Sequence, residues 1–206
     1  MIDRAKALEV PGRLQFRRQD LRDWLPEHPV DLLLSSATFQ WVEGHASLFP
    51  KFVESVRPGG TFAFQVPNNF AEPSHTLLRE LASSDRWKDI LEPAIRAAAV
   101  LTPESYLVAL LETGATVDVW ETTYLHVLDG PDAVLQWIRG TGLRPFLAAL
   151  DRSGIPGDTD DFLTSYAAVL RAAYPRDAYG RTVFPFRRIF AVATAPLPPD
   201  SPKETT

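Results

Sequence analysis

Continuous and alternating runs of apolar residues predict the strands of this chain. Residues 30–35 (VDLLLS) form a near-continuous apolar run, which is typical of a strand buried on both faces of a parallel sheet. Residues 61–66 (TFAFQV) and 116–128 alternate between apolar and other side chains, as half-buried strands do. Residues 14–16 are a short further candidate. Residues 182–194 form the last predicted strand, which we expect to run antiparallel to its neighbours.

Apolar residues at threefold and fourfold spacing predict helices between these strands. The segments are residues 1–8, 39–42, 46–56, 103–111, 132–140 and 160–174, the fourth within a long helical region at residues 73–113. Thr102 is a good N-cap, and Pro58-Gly59-Gly60 is a strong breaker before a strand. The order of elements predicts an α/β sheet with a helical cap. The Pro-rich residues 196–206 predict a disordered tail.

Composition and charge narrow the function classes. The chain has 206 residues, of which 45% are hydrophobic and 23% charged, so we expect one domain with a packed core. The absence of cysteine excludes disulfides and thiol nucleophiles, and the four histidines lack metal-ligand spacing, so we expect no metal site. A net charge of −5 argues against nucleic acid or an anionic membrane as a partner. We expect a soluble cytoplasmic protein of undetermined oligomeric state, with His45 at the surface or at a helix cap.

Four stretches occur in an order and spacing that resemble one enzyme family. Residues 30–45 (VDLLLSSATFQWVEGH) are similar to the fourth-strand signature of S-adenosylmethionine-dependent methyltransferases, and residues 57–75 (RPGGTFAFQVPNNFAEPSH) to the turn and strand that follow it. The segments WETTY and FPFRR narrow the resemblance, over residues 1 to about 195, to the trans-aconitate 2-methyltransferase family. The resemblance implies a Rossmann-like class I methyltransferase sheet, S-adenosylmethionine as cofactor and a small polycarboxylic acid as substrate.

The glycine-rich loop with which this family holds its cofactor has no counterpart in the sequence. No D-x-G-x-G-x-G motif occurs, and the first residues (MIDRAKAL) resemble the helix after the family's second strand. We therefore expect an incomplete sheet without its first two strands, in a partial methyltransferase domain at residues 1–195 with helical substrate-cap segments at residues 73–113 and 131–175. Either Met1 is an internal methionine of a longer enzyme, or a genuinely short protein has lost cofactor binding. Both explanations predict weak or no binding of S-adenosylmethionine by this chain.

The resemblance implies cofactor contacts after the family's third and fourth strands. The Asp20 carboxylate would accept a hydrogen bond from the adenine amine and the Leu21 N–H would meet a ring nitrogen, although Asp20 also suits a turn or a helix N-cap. The Trp41 indole beside a sulfonium would give cation–π stabilisation, but a tryptophan also suits a core. Small residues at the carboxyl end of a parallel strand allow close approach of a cofactor, or simply pack. These are Ser35, Ser36 and Ala37.

The candidate substrate contacts lie after the family's fourth and fifth strands, in the predicted strand at residues 116–128 and in the last strand. An arginine fork matches a carboxylate through two hydrogen bonds, and the FPFRR segment supplies Arg187 and Arg188. Strand alternation sends them to opposite faces, so we expect at most one to point into a cavity, the alternative being a pair of exposed strand charges. Further candidates, which alternatively serve turns, caps or packing, are Gln40, Asn69, His75 and Tyr124.

The reaction that the resemblance implies needs no catalytic base. Methyl transfer from a sulfonium to a carboxylate oxygen is an in-line displacement, and a carboxyl group with a pKa near ~4 is already ionised at neutral pH. Catalysis then depends on orientation and on exclusion of water, for which the helical segments are a natural lid. The alternatives are a pseudo-methyltransferase that binds a small acid without catalysis, a subunit that borrows the missing half from another chain, and a methyltransferase for another small acid.

Overall fold

A computed structural model describes residues 2–97 and 99–198 and has a four-stranded mixed sheet as its framework. The strands are β1 (Val30–Ser36), β2 (Val56–Pro67), β3 (Thr116–Asp129) and β4 (Arg181–Thr194), in the spatial order β1-β2-β4-β3. β1 and β2 run parallel, and β4 is antiparallel to β2 and β3. The predicted α/β class and antiparallel last strand are thus confirmed. Residues 199–206, part of the tail predicted to be disordered, lie outside the described residues.

Eight α-helices occur in the described part of the chain. They are α1 (Ile2–Lys6), α2 (Phe49–Glu54), α3 (Pro73–Ala82), α4 (Lys88–Leu91), α5 (Pro103–Leu111), α6 (Ala133–Arg139), α7 (Arg144–Ser153) and α8 (Asp158–Ala173). Short 3₁₀ helices at Phe39–Trp41, His45–Leu48 and Glu92–Ala94 lie in the connections. The Thr102 cap of α5 is confirmed, since its hydroxyl accepts the Ser105 N–H at 3.2 Å. None of these helices combines the length and the apolar character that crossing a membrane requires.

The predicted strand at residues 14–16 is wrong, and the helix predicted at residues 46–56 is divided. Leu14 forms only an isolated bridge with Val10, across a turn in which Gly12 has a φ of 71°. A bridge between residues so close in sequence closes a turn and recruits no further strand. The helical segment consists of a 3₁₀ turn and the short α2, and the chain is already extended in β2 at Val56.

The predicted breaker at Pro58-Gly59-Gly60 lies inside β2 rather than before it. The pairing of β1 with β2 shifts register there, because Val30 pairs with Val56 but Leu32 pairs with Thr61. A Cβ on Gly60 would lie 2.8 Å from the Arg57 carbonyl oxygen, which is too close for any other residue. The glycines therefore permit a bulge that changes the direction of β2, and the strand continues beyond them.

β1 is buried on one face only, which contradicts the expectation from its apolar run. Leu33 is 7% exposed, whereas Leu32 and Leu34 are 57% and 70% exposed. The reason is that β1 is an edge strand of the described sheet and is packed on a single side. Leu33 contributes to the side that α2 and α5 cover, termed here the covered face. The side that carries Leu32 and Leu34 is termed the open face.

The buried apolar side chains form two clusters. The first lies on the covered face and joins strand residues such as Phe62 and Ala191 to α2 and to Tyr106 of α5. The second is built by α3, α4, α6, α7 and α8 around residues such as Phe162, together with Phe184 of β4. The helices of the second cluster fall within the segments 73–113 and 131–175, but α5 packs on the sheet. That these segments cover a substrate stays a prediction.

His45 lies in the core, so its predicted surface or cap position is wrong. It is 1% exposed and stacks on Phe39, with ring centroids 5.4 Å apart. Its Nδ1 lies 2.9 Å from the Val42 carbonyl oxygen and its Nε2 lies 2.9 Å from the Tyr106 hydroxyl. The Tyr106 oxygen also accepts the Leu101 N–H at 3.3 Å. This chain of bonds ties α5 to the segment after β1, and burial lowers the pKa of His45, which favours the neutral ring.

Replacing Tyr106 with Phe keeps the ring but removes the hydroxyl from this buried chain. We expect the free energy of unfolding to fall by about 1–3 kcal/mol, because the His45 and Leu101 groups lose their partner. Urea denaturation measures this difference. Val108→Ala, at an exposed position of the same helix, should stay within about 0.5 kcal/mol of the unsubstituted protein. A Tyr106→Phe protein with unchanged stability would show that the hydroxyl contributes nothing.

Candidate functional site at the carboxyl edge of the sheet

The carboxyl ends of β1 and β2 meet the first half of β4 at one edge of the sheet. The register pairs Ser36 with Gln65 across β1 and β2, and Pro67 with Arg188 across β2 and β4. Ligands of open α/β sheets bind at the carboxyl ends of the parallel strands. This edge, composed of residues 35–41, 65–70 and 186–188, is termed the rim.

The end of β1 and the turn after it contain two buried polar atoms without a hydrogen-bond partner among the described residues. They are the Ser35 hydroxyl oxygen and Gln40 Oε1. Gln40 Nε2 donates to the Ala37 carbonyl oxygen at 2.7 Å, which leaves only the amide oxygen free. Ala37 has a φ of 50°, a left-handed conformation that residues other than glycine rarely adopt. An unpartnered buried polar atom costs about 1–3 kcal/mol, so this turn is suited to a ligand that supplies the missing bonds.

A groove of about 290 Å³ runs along the free edge of β1. Leu21, Ser35 and Ser36 line it, so three predicted cofactor contacts come together there. Ala37 and Trp41 do not line it, and Trp41 is 54% exposed. A larger hollow of about 750 Å³ at the opposite end of β1 contains none of the predicted site residues. We therefore centre the candidate site on the smaller groove, which Ser35 lines.

Asp20 is held by its own neighbour in the loop before β1. Arg22 donates from Nε and Nη2 to the two carboxylate oxygens at 3.0 and 2.7 Å, and its backbone N–H adds a bond of 2.9 Å. These bonds lower the pKa of Asp20 to about 2. A carboxylate has roughly four acceptor positions, so one is left for the predicted adenine contact.

Arg187 and Arg188 lie on opposite faces of β4, as strand alternation predicts. Arg187, on the covered face, has two acidic neighbours. Its Nη1 lies 3.5 Å from Glu72 Oε1 and its Nε lies 3.2 Å from Glu121 Oε1, although the Nε hydrogen is not directed at that oxygen. The positive charge of Arg187 is therefore already matched within the protein.

Arg188, on the open face, has neutral partners instead. Its Nη1 donates to Gln65 Oε1 at 2.7 Å, and its guanidinium carbon lies 4.7 Å from the centroid of the Phe186 ring. Within residues 2–97 and 99–198 no carboxylate oxygen lies within salt-bridge distance of this group. Arg188 is half-buried and keeps its charge unmatched at the rim.

The other predicted substrate contacts occupy different environments. Asn69 is buried and uses its Oδ1 to accept the Arg187 N–H at 2.8 Å, so this side chain fixes the β4 backbone. His75 lies in the first turn of α3 next to Ser74, whose hydroxyl oxygen lies 3.0 Å from His75 Nδ1, and burial lowers the pKa of His75 to about 4. Tyr124 is 40% exposed and lies in β3 on the open face. Their contacts with a substrate stay predictions.

Three polar residues of this region are missed by the sequence analysis. They are Gln65, Glu72 and Glu121. Gln65 is a polar residue between the apolar Phe64 and Val66 in the run TFAFQV, which is a detectable signal. Glu121 pairs with Ile189 of β4, which faces the covered side, so Glu121 faces that side as well. Only the strand pairing reveals this position.

Curated relatives identify the family of the chain, although no family model matches it. A trans-aconitate 2-methyltransferase of Streptomyces coelicolor is 56% identical over 201 residues, which cover 95% of this chain and 65% of that protein. Proteins of the same name from Streptomyces avermitilis and Mycolicibacterium gilvum are 52% and 46% identical, over 94% of this chain and 72% and 73% of their own lengths. The chain belongs to the trans-aconitate 2-methyltransferase family. It spans about two thirds of the length of these relatives.

Solved structures resemble the chain more distantly than these trans-aconitate 2-methyltransferases do. An S-adenosylmethionine-dependent methyltransferase from Mesorhizobium loti has 19% identity and a TM-score of 0.44, over 94% of this chain and 75% of that one. A phosphoethanolamine N-methyltransferase from Haemonchus contortus has 14% identity and a TM-score of 0.36, over 81% of this chain and 33% of that one. At TM-scores below 0.5 these likenesses support no conclusion about the chain.

Three of the four segments that carry the resemblance to the trans-aconitate 2-methyltransferase family converge on the rim. Residues 30–45 include β1 and the turn after it, and two of their buried polar atoms have no partner among the described residues. Residues 57–75 form most of β2 and the start of α3, while FPFRR brings Arg188 to the same edge. Stretches that are far apart in sequence thus supply one cluster of polar side chains.

The depressed pKa of His75 predicts a loss of stability in mild acid. The unfolded ring, with a pKa near ~6.5, binds a proton that the folded ring, with a pKa of about 4, does not bind. Stability is therefore lost as the pH falls from about 6.5 towards 4, and His75 accounts for about 2 kcal/mol between pH 8 and pH 5. Urea denaturation at both pH values should show that the free energy of unfolding falls less from pH 8 to pH 5 in His75→Gln than in the unsubstituted protein. His28→Gln, at an exposed position, is the control, and equal falls in all three proteins would contradict the prediction.

Proposed function

We propose that this chain provides the acceptor-binding face of an S-adenosylmethionine-dependent methyltransferase, which esterifies a carboxylate of trans-aconitate or of a related small polycarboxylic acid. The observation that carries the proposal is Arg188, a half-buried arginine at the rim whose partners among residues 2–97 and 99–198 are neutral. The names of the curated relatives support the choice of acceptor. Monoesterification leaves further carboxylates ionised, so a cationic rim suits both substrate and product.

The acceptor side of the reaction needs orientation rather than deprotonation. The attacking carboxylate is ionised at neutral pH, because carboxyl pKa values lie near ~4. Arg188 can hold a carboxylate through its remaining N–H groups in a fixed plane. With His75 Nδ1 accepting from the Ser74 hydroxyl, the neutral ring carries its proton on Nε2 and can donate it to a second carboxylate. The Tyr124 hydroxyl is a third candidate donor on the open face.

The end of β1 and the turn after it fit the methyl donor, S-adenosylmethionine, in part. S-adenosylmethionine, when bound, supplies a methyl group on a positively charged sulfur. Ser35 and Gln40 have unpartnered oxygens that can bond polar groups of such a ligand, and the exposed Trp41 indole suits a sulfonium. Asp20 retains one acceptor position. Leu21, Ser36 and Ala37 complete the proposed donor side.

The 206-residue chain holds this cofactor weakly and transfers methyl groups slowly in this proposal. The glycine motif that lets a backbone approach the methionine part of the cofactor is absent from the sequence. The groove beside β1, at about 290 Å³, is also at the lower limit of the ~300–1,000 Å³ of ligand pockets. Acceptor binding, by contrast, depends on the rim, which the chain possesses.

A second candidate function concerns these 206 residues alone, which contain no such glycine motif. A pseudo-methyltransferase would bind a small acid at the rim without transferring a methyl group. Calorimetric titration with S-adenosylmethionine, followed by mass-spectrometric search for the monomethyl ester of trans-aconitate, separates the two. Slow ester formation supports the methyltransferase. Acid binding with neither cofactor binding nor ester supports the second candidate, and micromolar cofactor affinity contradicts the inferred impairment.

Arg188→Met should weaken trans-aconitate binding at least tenfold, because a charge-assisted, bidentate contact worth about 1.5–3 kcal/mol is lost. Isothermal titration calorimetry at low salt measures the dissociation constant. Arg181→Met removes the same charge from an exposed position of β4 that pairs with Asp177, and it should leave binding unchanged. Equal losses in both variants would indicate a nonspecific charge effect and contradict the assignment of Arg188.

A further inference from the structure

We propose that Gln65 is a positioning residue that fixes the guanidinium of Arg188 for the acceptor carboxylate. The proposal rests on the function proposed above, since it names what prepares Arg188 to bind. Gln65 is half-buried on β2, between the strands that carry Ser36 and Arg188. It touches neither the covered core nor an acidic residue in the hydrogen bonds described for it. A glutamine in this position links three strands across the open face.

The chemistry of the two partners fixes the orientation of the Gln65 amide. Arg188 has only donors, so the oxygen Oε1 must face it, and Nη1 donates to Oε1 at 2.7 Å. The amide nitrogen Nε2 then faces Ser36 and donates to its hydroxyl oxygen at 2.9 Å. Because Ser36 accepts this bond, its own O–H hydrogen is left to donate elsewhere. The row Ser36–Gln65–Arg188 therefore presents two donors, one at each end.

The neutrality of Gln65 matters as much as its geometry. A glutamate there would pair with Arg188 and cancel its charge, as Glu72 and Glu121 do for Arg187. The amide instead holds one guanidinium nitrogen while leaving the full positive charge. The Phe186 ring, 4.7 Å from the guanidinium carbon, restrains the same group from another side. Together these contacts fix the arginine without neutralising it, which is what binding a carboxylate requires.

The strand register makes this arrangement a property of the fold. Ser36 pairs with Gln65 in the parallel β1–β2 ladder, and Arg188 pairs with Pro67, two residues beyond Gln65. Residues two apart on a strand point to the same face, so Gln65 and Arg188 are diagonal neighbours on the open face. The three side chains thus lie in a row that does not depend on a loop conformation.

The test compares trans-aconitate dissociation constants of the full chain by calorimetry at low salt. Gln65→Glu should weaken binding at least tenfold, because its carboxylate takes the guanidinium. Gln65→Met, which keeps the volume and removes both hydrogen bonds, should weaken binding about threefold to tenfold. Gln136→Glu makes the same charge change at an exposed position of α6 and should leave binding unchanged. Urea denaturation of each variant verifies that it is folded at the titration temperature.

A double-mutant cycle separates positioning from mere structural support. Ser36→Ala and Arg188→Met alter side chains that are linked through Gln65, so their effects on affinity should be non-additive in the presence of Gln65. The same cycle in the Gln65→Met background should be additive, because the link is gone. A scaffold residue that only stabilised the sheet would not change this coupling.

The outcomes distinguish the two proposals. The proposed function is wrong at the acceptor site if the unsubstituted chain does not bind trans-aconitate. It is also wrong there if Arg188→Met binds trans-aconitate as tightly as the unsubstituted chain. If Arg188→Met weakens binding but both Gln65 variants bind normally, the role of Gln65 is overturned while the acceptor site stands. Weakened binding by both Gln65 variants, with coupling lost in the Gln65→Met background, supports the proposal.

Discussion

The chemistry of the rim depends on which side chains of β4 face the covered side of the sheet and which face the open side. Alternate side chains of a strand face opposite sides of a sheet, and Ile189, Ala191 and Ala193 must face the covered side to complete the core. That requirement places Arg187 on the covered face and Arg188 on the open face. A slip of one residue would exchange the two arginines and expose the core positions.

The loop after β2 holds this register in place. The Asn68 N–H donates to the Arg187 carbonyl oxygen at 2.8 Å, and the Arg187 N–H donates to Asn69 Oδ1 at 2.8 Å. Both backbone groups of Arg187 are therefore tied to the end of β2. Asn69, predicted as a substrate contact, acts here on the strand that carries the arginines. The proposed acceptor site accordingly depends on the buried amide of Asn69.

The sequence predicts the positions of most strands and helices well, but it predicts poorly which of their side chains are buried. The apolar periods of β2, β3 and β4 and the cap at Thr102 are local properties, so the pattern reveals them. The exposure of Leu32 and Leu34 is not local, because it depends on what packs against the strand. Likewise, the Pro58-Gly59-Gly60 signal identifies backbone freedom but does not distinguish a bulge from a strand end. His45 is a core residue because Phe39, Phe49 and Tyr106, of which Tyr106 is distant in sequence, pack around its ring.

The site shows the same division between local and distant causes. Alternation alone separates Arg187 from Arg188, but which arginine keeps an unmatched charge depends on Glu72, Glu121 and Gln65, which other elements supply. The most direct test is nuclear magnetic resonance of the arginine Nε–H groups during titration with trans-aconitate. We expect a saturable shift of the Arg188 signal with the Arg187 signal unchanged. A shift confined to Arg187, or binding that perturbs neither arginine, would contradict it.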